Sequence, residues 1–363
     1  MDNGITWVGM DVHKESIVVT AVRHDSDKAT ARFEIPNTDT GVHRLVKRLR
    51  EMGEVRCAYE AGPCGYELRR FLASQEIPCE VIAPSLIPKK SGDRVKTDRR
   101  DAEKLARLHR MGELTPIRVP TPAQEALRDL VRTREDAKED ALRRRHRLLK
   151  FLLRQGRRYE GKSWTQVHWN WIRSQKFADD NAQAVLTEYL VALEQELERI
   201  RRLNVKIEEE SHRPEIAPAV ARLRTLRGVD TVTAMTLVSE LVDFSRFTTA
   251  HELMSFAGLV PSEYSSGGKE RRGRITKTGN AHVRRVLVEA AWHYRRTPTG
   301  TGISLRKRRE GQPPGVLEIA RRAELRLCRK YRKMTSKGKN SRLTVVSVAR
   351  ELAGFVWAIG RSR

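Results

Sequence analysis

Four carboxylates in the N-terminal part of the chain stand at the ends of predicted elements. Asp11 ends a strand in GMDVHK, Glu60 ends a later strand in AYEAG, and Asp98 and Asp101 open a helix in KTDRRDAEKLARL. A spacing of three puts the last two on one helical face, with Cβ atoms about 5–6 Å apart. If that helix packs beside the strand ends, all four carboxylates converge.

Carboxylate oxygens gathered at one point suit Mg²⁺ or Mn²⁺, and two such ions ~3.5–4 Å apart assist phosphoryl transfer. Taken singly, Asp98 and Asp101 have a plainer explanation as acids in a first helical turn capped by Thr97, and Glu60 as a salt-bridge partner. Asp11 is harder to explain in this way, because a carboxylate that closes a buried strand needs a partner. We predict one metal site formed by the four residues.

A second group of reactive residues lies at positions 264–280, which read YSSGGKERRGRITKTGN. A serine hydroxyl becomes a useful nucleophile only when it is activated. Glycines let a backbone approach a nucleic-acid strand, and basic side chains hold phosphates. The predicted phosphate-binding residues here are Lys269, Arg271, Arg272, Arg274 and Lys277. The alternative is a solvated flexible loop, since Ser-Gly-Gly is common turn chemistry.

The elements around the carboxylates predict an α/β domain over residues 1–120. Short β-branched runs predict strands at 5–11, 16–22 and 29–35, arranged as an antiparallel meander. A helix over 41–52, the strand EVRCAYE, a helix over 66–74 and the strand CEVIA follow. This is the element order of the ribonuclease H-like (RuvC-like) fold.

From Thr121 the pattern changes to long charged helices, predicted as a middle region over residues 121–213. A 4-3-4-3 apolar spacing with a polar residue at one a position is typical of a coiled coil, in cis or with a second subunit. The seam consists of Leu186, Leu190, Leu193, Leu197, Ile200, Asn204 and Ile207. An amphipathic helix packed on a globular body fits the same spacing.

Residues 214–363 are predicted as a third, mainly helical domain. Two helical patterns meet at Gly228-Val229-Asp230, which suggests a helix-hairpin-helix element whose backbone N–H groups bind a phosphate. A glycine-capped helical hairpin without a ligand is the alternative.

Composition limits the classes of partner. The formal net charge is +25 and the pI is about 10.4, with basic residues spread along the whole chain. Such an excess favours nucleic acid, because each neutralised phosphate releases counterions. A merely soluble basic surface is the alternative. We find no signal peptide and no uninterrupted apolar run of about 18 residues, so we expect an intracellular protein without a membrane partner.

Together, GMDVHK, AYEAG, KTDRRDA and FAGLVPSEYSSGGKERRGRITKTGN resemble the IS110 family of insertion-sequence transposases, in the family's order and over essentially the whole chain. The resemblance implies an N-terminal RuvC-like domain with a D-E-D-D metal site, a coiled coil, and a C-terminal transposase domain with a catalytic serine. The metal ligands would be Asp11, Glu60, Asp98 and Asp101. The nucleophile would be Ser266, with Ser265 as the second candidate.

The resemblance also implies a mechanism and partners. Ser266 would attack a DNA phosphodiester with metal assistance and form a covalent phosphoserine link, so strand exchange needs no ATP. The metal-bearing domain of one subunit would meet the serine domain of another, in dimers that assemble into tetramers. A structured non-coding RNA, the bridge RNA, would pair with donor and target DNA in the cytoplasm of a prokaryote, at the nucleoid.

Two other hypotheses remain open from the sequence. The first is a RuvC-like nuclease or junction resolvase that uses metal and water and does not use the serine. The second is a non-enzymatic nucleic-acid-binding protein.

Overall fold

The protein is described here from a computed structural model that covers residues 4–26, 28–88, 97–266, 268, 271–296 and 302–362. The chain forms two compact units, residues 1–120 and 121–363. The further division of the second unit at residue 213 stays a prediction.

The first unit is built on a five-stranded mixed sheet with the order β3-β2-β1-β4-β5. Its strands are β1 (Thr6–Val12), β2 (Ser16–Arg23), β3 (Ala29–Pro36), β4 (Val55–Glu60) and β5 (Cys79–Ile82). The first three pair antiparallel, whereas β4 runs parallel to β1 and β5 runs parallel to β4. The predicted meander and mixed α/β architecture are therefore confirmed.

Among the described residues of this unit, three α-helices cover the sheet: α1 (Asp39–Glu51), α2 (Glu67–Ser74) and α3 (Asp98–Arg110). Val8 and Met10 of β1 belong to the same core as Leu45 and Leu72, which are residues of α1 and α2. Side chains alternate along a strand, so Gly9 and Asp11 belong to the opposite face. There Ala58 of β4 packs with Leu105 and Leu108 of α3. The sheet thus separates α3 from α1 and α2.

Helix α3 lies directly on β1, and Gly9 makes this possible. A Cβ atom at Gly9 would lie 2.0 Å from the carbonyl oxygen of Ala102 and 2.5 Å from the amide nitrogen of Ala106. At the other end of β1 the ring of Trp7 contacts His109, with 4.7 Å between ring centroids. The last turn of α3 therefore lies by Trp7, and its first turn lies towards Asp11.

The second unit is mainly helical. Its helices are α4 (Pro122–Arg154), α5 (Gln166–Ser174), α6 (Asp180–Glu210), α7 (Ala217–Leu223), α8 (Thr231–Leu241), α9 (Ala250–Phe256), α10 (Ala281–Ala291), α11 (Ile303–Arg309), α12 (Pro314–Ser336) and α13 (Ser341–Arg361). A hairpin of β6 (Pro261–Glu263) and β7 (Arg272–Ile275) stands between α9 and α10.

Helices α4 and α6 pack antiparallel along the predicted seam. Leu186 and Leu193 of α6 are buried with Leu148 and Phe151 of α4, and the Nε of Arg134 donates to the Oδ1 of Asn204 at 3.0 Å. The seam thus packs within the chain. The supercoil and a pairing between subunits stay predictions.

Helix α13 is long and apolar enough by composition to cross a membrane, with a mean hydropathy of 1.4 over its most apolar window. The sequence of this helix contains no uninterrupted apolar run of about 18 residues, because Arg350 and Glu351 lie inside it. Glu351 accepts hydrogen bonds from Arg326 and Lys330, and apolar residues of α13 such as Leu352 and Val356 are buried in the core. A core helix accounts for this composition.

A buried glutamate ties α4 to α10. Glu135 accepts hydrogen bonds from Arg285 and from the Nδ1 of His282, the latter at 2.8 Å. Burial alone would raise the pKa of Glu135, but these bonds outweigh it and hold the pKa at about 2. The ionised carboxylate therefore stabilises the fold above its unfolded pKa.

Replacement of Gly9 by alanine should displace α3, because both atoms in its way are main-chain atoms. We expect a loss of about 1–3 kcal/mol in the free energy of unfolding and faster deuterium uptake in α3 peptides, measured by exchange mass spectrometry. Gly62→Ala is the control, since the nearest atom to its new Cβ would be 3.9 Å away. Wild-type exchange in Gly9→Ala would contradict the packing argument.

Replacement of Glu135 by glutamine should flatten the acid dependence of stability. The folded pKa lies below the unfolded one, so the stabilisation is complete above about pH 4.5 and is lost as pH falls towards about 2. In urea titrations, the wild type should lose about 1–2 kcal/mol more than Glu135→Gln between about pH 5 and pH 3. The exposed Glu139→Gln should behave as wild type. Equal slopes in all three proteins would refute this assignment.

Candidate metal centre and serine loop

The first candidate site lies where β1 ends against the start of α3. Asp11 is two residues beyond Gly9 and so belongs to the face that α3 covers. Thr97 caps α3, its hydroxyl accepting from the amide of Arg100, and this cap starts the helix at Asp98. Acidic residues are favourable in a first helical turn, because the helix dipole is positive there.

The structure brings Asp11, His13 and Asp98 into one group. The Nε2 of His13 lies 3.3 Å from the Oδ2 of Asp11 and 3.5 Å from the Oδ2 of Asp98. One ligand atom from each of the three residues lies within 4.8 Å of the other two. The side chain of Asp11 is 18% exposed, whereas that of Asp98 is 57% exposed. The group is therefore open to solvent on the helix side.

The electrostatics of Asp11 favour a cation at this point. Burial raises the pKa of Asp11, and the negative charges of Asp98 and Asp101 add to this effect, although His13 opposes it. A divalent ion would relieve the repulsion between the carboxylates. The oxygen and nitrogen donors present therefore fit a divalent metal ion.

The other two predicted ligands lie nearby but outside this group. Glu60 directly follows Tyr59, the β4 partner of Met10, so it ends its strand beside Asp11. Asp101 lies one turn further along α3 and acts on Asp11 through its charge. Among the described residues, only Asp11 and Asp98 of the four carboxylates share the close group with His13.

His13 was not among the predicted ligands. Alternate residues of an extended chain share one face, so its position two residues after Asp11 signals that the two are near each other, but not which way the imidazole points.

The second candidate site is the serine loop, defined as residues 264–271 between β6 and β7. The amide of Tyr264 donates to the carbonyl of Arg271 at 2.9 Å, which continues the hairpin pairing to the loop. The hydroxyl of Ser265 donates to the Oε1 of Glu263 at 2.8 Å. Ser266 is exposed. Glu263 is a neighbour of the serines that the sequence analysis missed.

Basic side chains lie at the end of the serine loop and in the residues that follow it. Arg271, Arg272, Arg274 and Lys277 are exposed, and the Nε of Arg272 lies 3.7 Å from the Oε2 of Glu263. The remaining predicted phosphate ligand, Lys269, lies outside the described residues.

The chain that follows the serine loop and β7 is fixed to the helical core at Gly279 and Asn280. A Cβ atom at Gly279, where φ is +110°, would lie 2.2 Å from the carbonyl oxygen of Phe256. The amide of Asn280 donates to that same oxygen, and its side chain donates to Glu240 at 2.7 Å. Arg132 of α4 donates to both carboxylate oxygens of Glu240, at 2.7 and 2.9 Å. The chain after β7 is thus anchored to the buried carboxylate of Glu240.

Gly228 lies in the connection between α7 and α8. A Cβ atom there would lie 2.5 Å from the carbonyl oxygen of Ala290, and φ is +82°. The carboxylate of Asp230 caps α8 by accepting from the amide of Thr233. The close packing thus explains why a glycine stands at this position. The carboxylate of Asp230 already accepts a hydrogen bond from one of the N–H groups at the start of α8.

Comparisons with known proteins cover both sites. Residues 8–155 match a transposase family model of the DEDD type named for IS110, and residues 220–301 match the transposase IS116/IS110/IS902 family.

Relatives match along most of the chain. A Sinorhizobium fredii transposase, y4qE, is 43% identical over 98% of this chain and 88% of its own length. The transposase for insertion sequence element IS1533 of Leptospira borgpetersenii is 34% identical, over 92% of this chain and 97% of its own length. The chain therefore belongs to the IS116/IS110/IS902 family of insertion-sequence transposases.

Proposed function

We propose that this transposase cuts and rejoins DNA through a serine nucleophile, with a divalent metal held by the carboxylates of its first unit. The observation that carries the proposal is the approach of Asp11 and Asp98, from a strand and a helix, on a chain of net charge +25. Two carboxylates at a DNA-binding surface repel the substrate unless a cation lies between them.

The proposed ligands are Asp11, Glu60, Asp98 and Asp101. The proposed ion is Mg²⁺, with Mn²⁺ as the alternative. When bound, the ion would polarise the scissile phosphate and stabilise the charge that develops on its oxygens. Support for the carboxylate set comes from the shared face of β1, β4 and α3 and from the raised pKa of Asp11. The RuvC-like character of the unit is part of this proposal.

In the proposed reaction the Oγ of Ser266 forms a bond to phosphorus and the bond from phosphorus to one sugar oxygen breaks. The serine proton is passed to the leaving sugar oxygen, which departs as a hydroxyl. A hydroxyl of the second DNA strand then displaces the serine, which recovers its proton. The phosphoserine link conserves the bond energy, so the exchange needs no ATP. The neighbouring phosphates would be held by the predicted basic side chains, Lys269, Arg271, Arg272, Arg274 and Lys277.

Ser266 is preferred to Ser265 because of their surroundings. Both serines are exposed, but the hydroxyl of Ser265 already donates to Glu263 at the end of the hairpin. Ser265 keeps one argument in its favour, since a carboxylate that accepts a hydroxyl proton is also a general base. Separate alanine substitutions of Ser265 and Ser266 distinguish the two candidates.

A structured guide RNA and a homo-oligomer complete the proposal. The wide spread of basic residues suits an RNA scaffold and two DNA duplexes together. The seam of α6 would extend to a coiled coil, in dimers that assemble into tetramers, so that the metal-bearing unit of one subunit serves the serine of another. The Gly228 hairpin would contact a phosphate. Acting on DNA, the complex would work at the nucleoid in the cytoplasm.

The test is to express the chain with the DNA that flanks its gene and to search for nucleotide attached to a serine. We expect an adduct on the Ser266 peptide in the wild type, by denaturing gel and peptide mass spectrometry. Ser266→Ala should abolish it, because no nucleophile remains, and Asp11→Asn should reduce it by at least about 100-fold. Ser265→Ala is the matched control and should keep the adduct.

Other outcomes distinguish the competing functions. Cleavage without an adduct, undiminished in Ser266→Ala, would establish a metal-dependent nuclease instead. Full activity in Asp11→Asn would remove the metal site from the reaction. The purified protein can also be treated with ribonuclease before DNA is added. If the adduct still forms, the result would contradict a role for the guide RNA.

A further inference from the structure

His13 takes a position that the four predicted carboxylates do not explain. Its Nε2 atom lies between Asp11 and Asp98, 3.3 and 3.5 Å from the two Oδ2 atoms. The His13 side chain is half exposed, so an ion from solvent can reach the nitrogen.

The main chain holds His13 at this point. Its amide donates to the carbonyl of Ser16 at 2.9 Å, and its carbonyl accepts from the Nδ2 of Asn37 at 2.8 Å. The amide of Asn37 also donates to the carbonyl of Glu15 at 2.9 Å, which fixes the turn between β1 and β2. The imidazole is thus presented from a fixed backbone, as a preorganised ligand requires.

The nitrogen of His13 and the two carboxylate oxygens are close enough to become ligands of one ion. Two ligand atoms about 2.1 Å from an ion and at right angles to each other lie about 3.0 Å apart. Small side-chain rotations would bring the two oxygens and the nitrogen to that spacing.

We propose that His13 is a nitrogen ligand of the metal centre, and that the site therefore prefers a divalent first-row transition ion, probed here as Mn²⁺, over Mg²⁺. The inference rests on the proposed metal site and adds a ligand to it. Carboxylate and water oxygens satisfy Mg²⁺, whereas imidazole nitrogen suits the transition metals. A nitrogen donor thus shifts selectivity without a change in charge.

The opposing hypothesis makes His13 a cationic partner that fills the site when the metal is absent. The two hypotheses predict opposite effects of His13→Ala. Loss of a ligand weakens metal binding, whereas loss of a competing cation leaves it equal or strengthens it.

The experiment uses the full-length chain with Mn²⁺ as the probe. Pulsed electron paramagnetic resonance detects ¹⁴N coupled to bound Mn²⁺, and a Mn²⁺ titration with Mg²⁺ competition gives both affinities. We expect ¹⁴N modulation in the wild type and its loss in His13→Ala. The Mn²⁺ affinity should fall about tenfold or more, and the Mg²⁺ affinity should fall less.

His24→Ala is the matched control, because His24 is exposed and follows Arg23, which pairs with Thr6 at the opposite end of β1. It should keep both the modulation and the affinity. Unchanged modulation in His13→Ala, or unchanged or tighter Mn²⁺ binding, would overturn the assignment of His13 while leaving the carboxylate site intact. Equal Mn²⁺ binding by wild type and Asp11→Asn would instead remove the metal site itself, and with it this inference.

Discussion

The contact between the main chain of α3 and Gly9 of β1 is the constraint on which the candidate metal centre depends. A helix can approach a strand this closely only where the strand has no side chain, and a Cβ atom at Gly9 would meet backbone at 2.0 and 2.5 Å. The direction of α3 follows from the same contact, since His109 in its last turn lies against Trp7. Its first turn must then lie by Asp11, so the packing of apolar and small residues determines where the acidic ones meet.

The two units differ in how the negative charge of their buried carboxylates is balanced. In the first, burial and then the nearby carboxylates Asp98 and Asp101 raise the pKa of Asp11, a cost that an ion would offset. In the second, buried carboxylates are matched by arginines: Glu240 by Arg132 and Glu135 by Arg285. Such pairs contribute little net energy compared with an apolar core, but loss of one partner leaves an uncompensated buried charge. Glu240 also accepts a hydrogen bond from the side chain of Asn280, which fixes the position of the chain after β7.

Much of this arrangement could be predicted from the sequence, and the limits have physical reasons. The strands of the first unit were predictable because β-branched runs such as SIVVTAV are buried and bounded by turns. Asp11 and Asp98 were predictable as neighbours because both stand at element ends. His13 was not, since nothing in the sequence shows which way a turn directs an imidazole. Glu263 was missed although it lies two residues before Ser265, since the sequence does not show which way its side chain turns. The apolarity of α13 was missed because Arg350 and Glu351 interrupt it, and Glu351 is paired with Arg326 and Lys330 of α12.

The central claim is that Asp11 and the first turn of α3 hold one divalent ion. Crystals of the full-length chain grown with Mn²⁺, with diffraction data collected near the manganese absorption edge, would test it most directly. The account predicts an anomalous difference peak about 2.0–2.3 Å from carboxylate oxygens of Asp11 and Asp98. A fully ordered Asp11 and Asp98 with no peak between them, in crystals that show Mn²⁺ bound elsewhere on the chain, would contradict it.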